Sequence, residues 1–251
     1  MKNYKILIQY DGTRYKGWQV QNSTDMTIQG KIQKVLEELT GHPMEVIGSG
    51  RTDAGVHASG QVANLHIDGD FSKEEILEYL NQYLPMDIAV TEIEEVEERF
   101  HARFAATSKT YIYRIHTSNI PNVFERKYAY TYTTPLNVEA MKKAASLLIG
   151  THDFKSFCGN KKMKKSTVRT VFSIDITEKQ DEIIISYTGD GFLQNMIRIM
   201  TGTLIEVGNG TKQASEIPEI LEGKNRELAG FTVPPEGLML KQVDYAAVVS
   251  N

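Results

Sequence analysis

The sequence predicts an α+β fold built from two lobes of similar size. Three observations predict it. Strand-like alternation of apolar and polar residues recurs along the whole chain, apolar stripes at helical spacing lie between those strands, and the second half repeats the vocabulary of the first. With 251 residues, 41% of them hydrophobic and 24% charged, the chain has the ordinary globular balance and ample material for a core.

Taken in order, residues 4–10 alternate with Ile6, Ile8 and Tyr10 on one face and stop at the turn pair Asp11-Gly12. Thr27 is placed to cap a helix striped by Ile28, Ile32, Val35, Leu36 and Leu39 and ended by Gly41. A short strand at 44–47 runs into the glycine-rich segment Gly48–Gly55, and residues 62–67 alternate again. Ser72 and Glu75 form the ends of a capping box ahead of Ile76, Leu77, Leu80 and Leu84. Residues 88–96 read as a strand whose solvent face carries Glu92, Glu94, Glu95 and, just past its end, Glu97.

The second lobe starts near Ala105, which divides the chain into residues 1–105 and 106–251. Residues 109–116 are a strand rich in Tyr and Ile. Asn137 caps a helix with Val138, Met141, Ala145 and Leu148, ended by Gly150. Residues 168–177 and 182–188 form a hairpin around the polar turn 178–181. Residues 191–206 are helical in pattern, 217–221 begin a shorter helix, and 238–248 are the closing strand. Neighbouring strands are expected to be antiparallel, and the absence of a long linker implies that the lobes pack together.

Composition excludes several classes. No apolar run approaches the roughly 18 residues of a membrane span, and the first residues lack a small-residue cleavage site, so no signal peptide is expected. Cys158 stands alone, which excludes an internal disulfide and a Cys-rich zinc site. The six histidines show no HxH or HExxH pairing, which argues against a metal enzyme. A cytoplasmic location is the expectation that remains.

The net charge of −4 hides an uneven distribution: residues 100–170 hold thirteen Lys or Arg against three Asp or Glu. A segment this basic in an acidic chain suits a phosphate-contacting surface. Equally, Lys161, Lys162, Lys164 and Lys165 fit a merely solvated loop.

The stretch with most chemical character is Gly48-Ser-Gly-Arg-Thr-Asp-Ala-Gly-Val-His57. Glycines permit a tight loop and close backbone approach, and such a loop between strands presents Arg51 and Asp53 on a rigid support. The competing reading is a simple turn in which Asp53 bonds its own backbone. A Walker phosphate loop is excluded because Gly-Lys-Ser/Thr is missing. A glycosidase-like carboxylate pair stays open on spacing alone.

The string Gly-Arg-Thr-Asp-Ala-Gly-Val-His-Ala at 50–58 resembles the signature of the tRNA pseudouridine synthase A family. Further matches follow in the same order: Tyr10-Asp-Gly-Thr, Gly17-Trp-Gln, Phe100-His-Ala-Arg-Phe-x-Ala and Lys109-Thr-Tyr-Ile-Tyr-Arg. His152-Asp-Phe-x-x-Phe, Gly191-Phe-Leu-x-x-Met-x-Arg, Gly202-Thr-Leu and Pro234-Pro-x-Gly-Leu continue it, so the resemblance runs nearly end to end. It implies two α/β lobes with antiparallel sheets meeting around a central cleft, acting as a homodimer without cofactor or metal. The implied activity is isomerisation of uridine to pseudouridine at positions 38, 39 and 40 of the tRNA anticodon stem-loop. The expected partner is thus tRNA, with no DNA and no membrane.

By the same resemblance, Asp53 is the catalytic nucleophile. Tyr111 packs on the flipped uracil, Arg198 pairs with the nucleophile, and Arg51 fills the space left by the extruded nucleotide. This chain departs from the pattern at Gln194-Asn195, where many relatives carry a basic residue, and at Met239, where an aromatic is usual. Two rivals are a catalytically silent RNA-binding protein using the basic segment and a sibling enzyme with another uridine target. The first has no use for Asp53 among phosphate-binding groups.

Overall fold

A computed structural model describes residues 1–160 and 162–246 and shows an α+β protein. Two compact units emerge, one of Met1–Thr107 with the chain from Met239 onward, the other of Ser108–Leu238. The strand that closes the chain therefore packs with the N-terminal unit, so the residues 106–251 expected as one lobe give up their last strand to the other.

In the first unit the strands are β1 (Lys2–Tyr10), β2 (Val46–Gly48), β3 (His57–Ile67) and β4 (Ile88–Val96), joined by the closing strand Leu238–Tyr245. β1 lies between β4 and β3 and is antiparallel to both, which explains why Tyr4, Ile6, Ile8 and Tyr10 are all buried. The closing strand instead runs parallel to β3, with Met239 opposite His57, so the expectation of purely antiparallel sheets fails here. Ala247 and Val248, expected in that strand, lie outside the described residues.

Local sequence sets the two helices of this unit, α1 (Ile28–Thr40) and α2 (Lys73–Tyr83). The Thr27 hydroxyl accepts from Gly30 N–H at 3.3 Å, and Gly41 ends α1 in the left-handed region at φ 80°. At α2 both capping-box bonds are present: Ser72 Oγ accepts from Glu75 N–H at 3.2 Å, and Glu75 Oε2 accepts from Ser72 N–H at 2.9 Å. Ser72→Ala is expected to lower stability by about 1 kcal/mol, read as a lower urea midpoint with unchanged slope.

β3 begins at His57, five residues before the alternation at 62–67 announces it. Two of its early residues, His57 and Gln61, are polar yet buried, and hydrogen bonds to other segments serve them there. Gln61 and Asn64 are fully buried. Asn64 Oδ1 accepts from Ala102 N–H at 2.9 Å, and its Nδ2 donates to Asn3 Oδ1 at 3.1 Å.

The second unit holds β5 (Ala106–His116), β6 (Tyr130–Thr131), β7 (Gly150–Asp153), β8 (Val168–Lys179) and β9 (Glu182–Gly189). The order β5-β9-β8-β7 is antiparallel throughout, while the short β6 runs parallel to β5. Its helices are α3 (Val138–Ser146), α4 (Met196–Gly208) and α5 (Ile217–Gly223). Asn137 caps α3 as expected, but that helix stops at Ser146, and Gly150, at φ 112°, opens β7 instead of ending it. α4 is buried nearly all round and starts at Met196, not at Gly191. The cause is Asn195, held in the left-handed region at φ 59°, which cannot continue a helix backward.

Candidate active site

The loop from Gly48 to His57 is fixed from beneath by two other motifs of the sequence. Tyr10 and Thr52 share a buried hydroxyl–hydroxyl bond of 2.8 Å. Burial pushes the Tyr10 phenol well above its usual range, so it keeps its proton. Gln61 Nε2 donates to Gly50 O at 3.1 Å, and Ser49 Oγ donates to Gln61 Oε1 at 2.7 Å. Trp18 N–H donates to Thr52 O at 3.1 Å, Gly55 N–H to Tyr15 O at 3.2 Å, and Val56 N–H to Asp53 O at 3.2 Å. Asp53 therefore sits half-buried in a loop whose backbone is pinned on both sides of it.

The glycines flanking this loop are needed for close approach. A Cβ on Gly12 would lie 2.0 Å from Val56 O, and one on Gly17, already at φ 99°, would lie 2.7 Å from Thr52 O. Gly12 N–H also donates to His57 Nδ1 at 3.1 Å. Trp18, itself buried, occupies the space that a Cβ on Gly48 would need. Thus Tyr10-Asp-Gly-Thr and Gly17-Trp-Gln form the bed on which the Arg51–Asp53 segment lies. Arg51 is exposed, and its Nε donates to Gln19 Oε1 at 3.1 Å.

Tyr111 and Arg198 belong to the second unit, each fixed by its own neighbours. Tyr111 stands on β5 opposite Tyr187 of β9 and meets the Phe192 ring edge-on, with centroids 5.5 Å apart at 84°. Arg198, in the first turn of α4, donates from Nε to Val233 O at 2.7 Å and from Nη1 to Asn195 Oδ1 at 3.0 Å. Tyr113 is fully buried, and its hydroxyl donates to Pro234 O at 2.8 Å. The Pro234-Pro-x-Gly-Leu motif and the residue before it thereby supply the carbonyls that orient Arg198 and Tyr113.

The departure at Asn195 has a structural role: asparagine suits the left-handed cap and its side chain steers Arg198. Neither this nor the buried Gln29, which bonds the Gln19 side chain that Arg51 meets, is foreseen from the sequence; a glutamine beside the apolar stripe of α1 is the available signal. Met239, the other departure, is half-buried in the closing strand.

Lys162, Lys164 and Lys165 are exposed on the segment between the turn Phe154–Phe157 and β8, and Lys161 lies outside the described residues. Phe154 N–H donates to Thr167 O at 3.0 Å, closing the base of that segment. Arg114, by contrast, is committed to Glu125 at 2.6 Å and to Glu182, which removes it from the basic surface that charge counting suggests. Among the described residues no group of His, Cys, Asp or Glu could hold a metal ion, and no helix is long and apolar enough to cross a membrane.

The tRNA pseudouridine synthase family pattern matches residues 6–105 and 144–246. Over 245 residues the chain is 50% identical to tRNA pseudouridine synthase A of Bacillus sp. (strain KSM-64), covering 98% of this chain and 100% of that protein. It is 48% identical to tRNA pseudouridine synthase A 2 of Bacillus anthracis, with the same coverage. It is 49% identical to tRNA pseudouridine synthase A 1 of Clostridium tetani, again over 98% of this chain and 100% of that one. Fold, loop and matches together define an isomerase that acts on tRNA. The chain belongs to the tRNA pseudouridine synthase family.

Proposed function

We propose that this enzyme converts uridines 38, 39 and 40 of the tRNA anticodon stem-loop to pseudouridine, with Asp53 as nucleophile. The observation that carries the reading is the half-buried Asp53 on a loop pinned at Gly50, Thr52, Gly55 and Val56. A nucleophile held this way loses little freedom on reaching the transition state.

In the proposed reaction an Asp53 oxygen bonds to C1′ of the ribose while the C1′–N1 bond breaks and its electron pair leaves with the uracil. The freed base turns until C5 faces the sugar. C5 then bonds to C1′ as the bond to Asp53 breaks and the carboxylate is restored. A proton lost from C5 is matched by one gained at N1, so the change is an isomerisation that needs no redox partner. Tyr111 packs on the base, Arg198 pairs with the nucleophile, and Arg51 takes the place of the extruded nucleotide. The enzyme works on its RNA in the cytoplasm as a homodimer.

Mapping pseudouridine in tRNA from cells lacking this protein tests the site assignment. Loss confined to positions 38–40 is expected; their full retention contradicts it.

Phosphate contacts are assigned to the lysine segment. Replacing Lys162, Lys164 and Lys165 with Ser is expected to weaken tRNA binding at low salt. Each lost contact lowers the slope of log K against log salt by about 0.7–0.9, so the slope should fall by about 2 to 3. The single-turnover rate on bound tRNA should be unchanged. A slope equal to that of the unaltered protein assigns the segment to solvent alone.

A further inference from the structure

We propose that Gln19 and Gln29 are positioning residues that set the direction of the Arg51 guanidinium. The proposal rests on the reading of Arg51 as the residue that replaces the extruded nucleotide. Gln29 is buried on α1. Its Oε1 accepts from Val20 N–H at 2.9 Å and from Gln19 Nε2 at 2.8 Å, and its Nε2 donates to Val46 O at 2.8 Å.

These contacts leave no freedom in the orientation of either amide. A backbone N–H only donates and a backbone carbonyl only accepts, so Val20 and Val46 together fix which end of Gln29 is oxygen. Gln29 must then offer oxygen to Gln19, and Gln19 must turn its NH2 inward. Its own oxygen is thereby left facing Arg51 Nε, at 3.1 Å. Backbone polarity at β2 and at Val20 is thus transmitted through two side-chain amides to an exposed arginine. A long, flexible side chain at the loop surface would otherwise sample many rotamers, and this relay holds its base of motion.

Gln19→Glu adds an opposite charge beside Arg51, yet it places carboxylate oxygen against Gln29 Oε1 and so should impair the relay. Gln19→Met and Gln29→Met remove the relay without charge. Gln19 is only half-buried, so its variants keep the fold even where Gln29→Met lowers stability.

The experiment uses the full-length enzyme and an anticodon stem-loop RNA with 2-aminopurine beside the target uridine. It measures single-turnover rate, RNA affinity, 2-aminopurine fluorescence on binding and urea stability. All three Gln variants are expected to lose about 10- to 100-fold in rate and much of the fluorescence rise, with affinity held within a few-fold. Gln19→Met placed in an Arg51→Met background should add no further loss, since both act through one group. Normal rates and fluorescence in Gln19→Met and Gln29→Met, or losses that add in full to that of Arg51→Met, overturn the relay. If Arg51→Met itself turns over normally, the reading of Arg51 fails and the relay with it; an impaired Arg51→Met beside intact Gln variants overturns the relay alone.

Discussion

Asp53→Asn and Asp53→Ala are expected to abolish pseudouridine formation while tRNA affinity stays within a few-fold. A neutral amide cannot form and release the bond to the ribose, and a methyl group has nothing to offer it. Affinity survives because phosphate contacts supply most of it and Asp53 makes none. The backbone anchors of the loop are common to both variants: Thr52 Oγ1 on the Tyr10 hydroxyl, Thr52 O on Trp18 N–H, and Asp53 O on Val56 N–H. Nucleoside analysis of treated tRNA, with a filter-binding curve beside it, checks both halves of the statement. Turnover near that of the unaltered enzyme in either variant removes Asp53 from the mechanism.

Gly12→Ala should be nearly as damaging, although residue 12 carries no chemistry. The added Cβ would lie 2.0 Å from Val56 O, well inside contact distance, and both atoms belong to backbone. Val56 is tied to Asp53 O by its own N–H, so relieving the clash displaces the segment that carries the proposed nucleophile. Overpacking of this kind costs about 1–3 kcal/mol, and a nucleophile misplaced by about 1 Å loses on the order of 100-fold in rate. The expected signature is a large drop in kcat with a modest drop in Tm and little change in tRNA affinity. A variant with unchanged kcat would mean that the Tyr10-Asp-Gly-Thr segment does not set the position of Asp53.

Some features of the fold have a local signal in the sequence and others have none. Capping residues declare themselves locally, so Thr27, Ser72 and Asn137 mark their helices correctly. The β8–β9 hairpin is legible for the same reason, as alternation on both sides of a polar turn. The early part of β3 is not, because its buried Gln61 is satisfied by Ser49 and Gly50, outside the strand, and not by an apolar alternation. Nor can periodicity reveal a left-handed residue, which is why α4 looks longer from sequence, reaching back to Gly191, than it is. The parallel seating of the closing strand beside β3 is a tertiary choice with no local trace.

The site divides along the same line. Asp53 and Arg51 are conspicuous as charged residues among glycines, and their support is hidden in residues that look like ordinary core. Tyr10, Trp18 and Gln61 become intelligible only once Thr52 and Gly50 are seen resting on them. Arg198 reads as a helix arginine until Val233 O and Asn195 Oδ1 are found holding it. Charge counting overreached at Arg114, because composition cannot distinguish a free cation from one spent on Glu125 and Glu182.

The central claim is that Asp53 drives exchange of the glycosidic bond from N1 to C5 at the anticodon stem-loop. Release of tritium from tRNA labelled at C5 of uridine, followed under single-turnover conditions with enzyme in excess, tests it most directly. The account predicts release from positions 38–40 with the unaltered enzyme and none with Asp53→Asn at concentrations where the RNA is fully bound. Release by Asp53→Asn at the rate of the unaltered enzyme would contradict it.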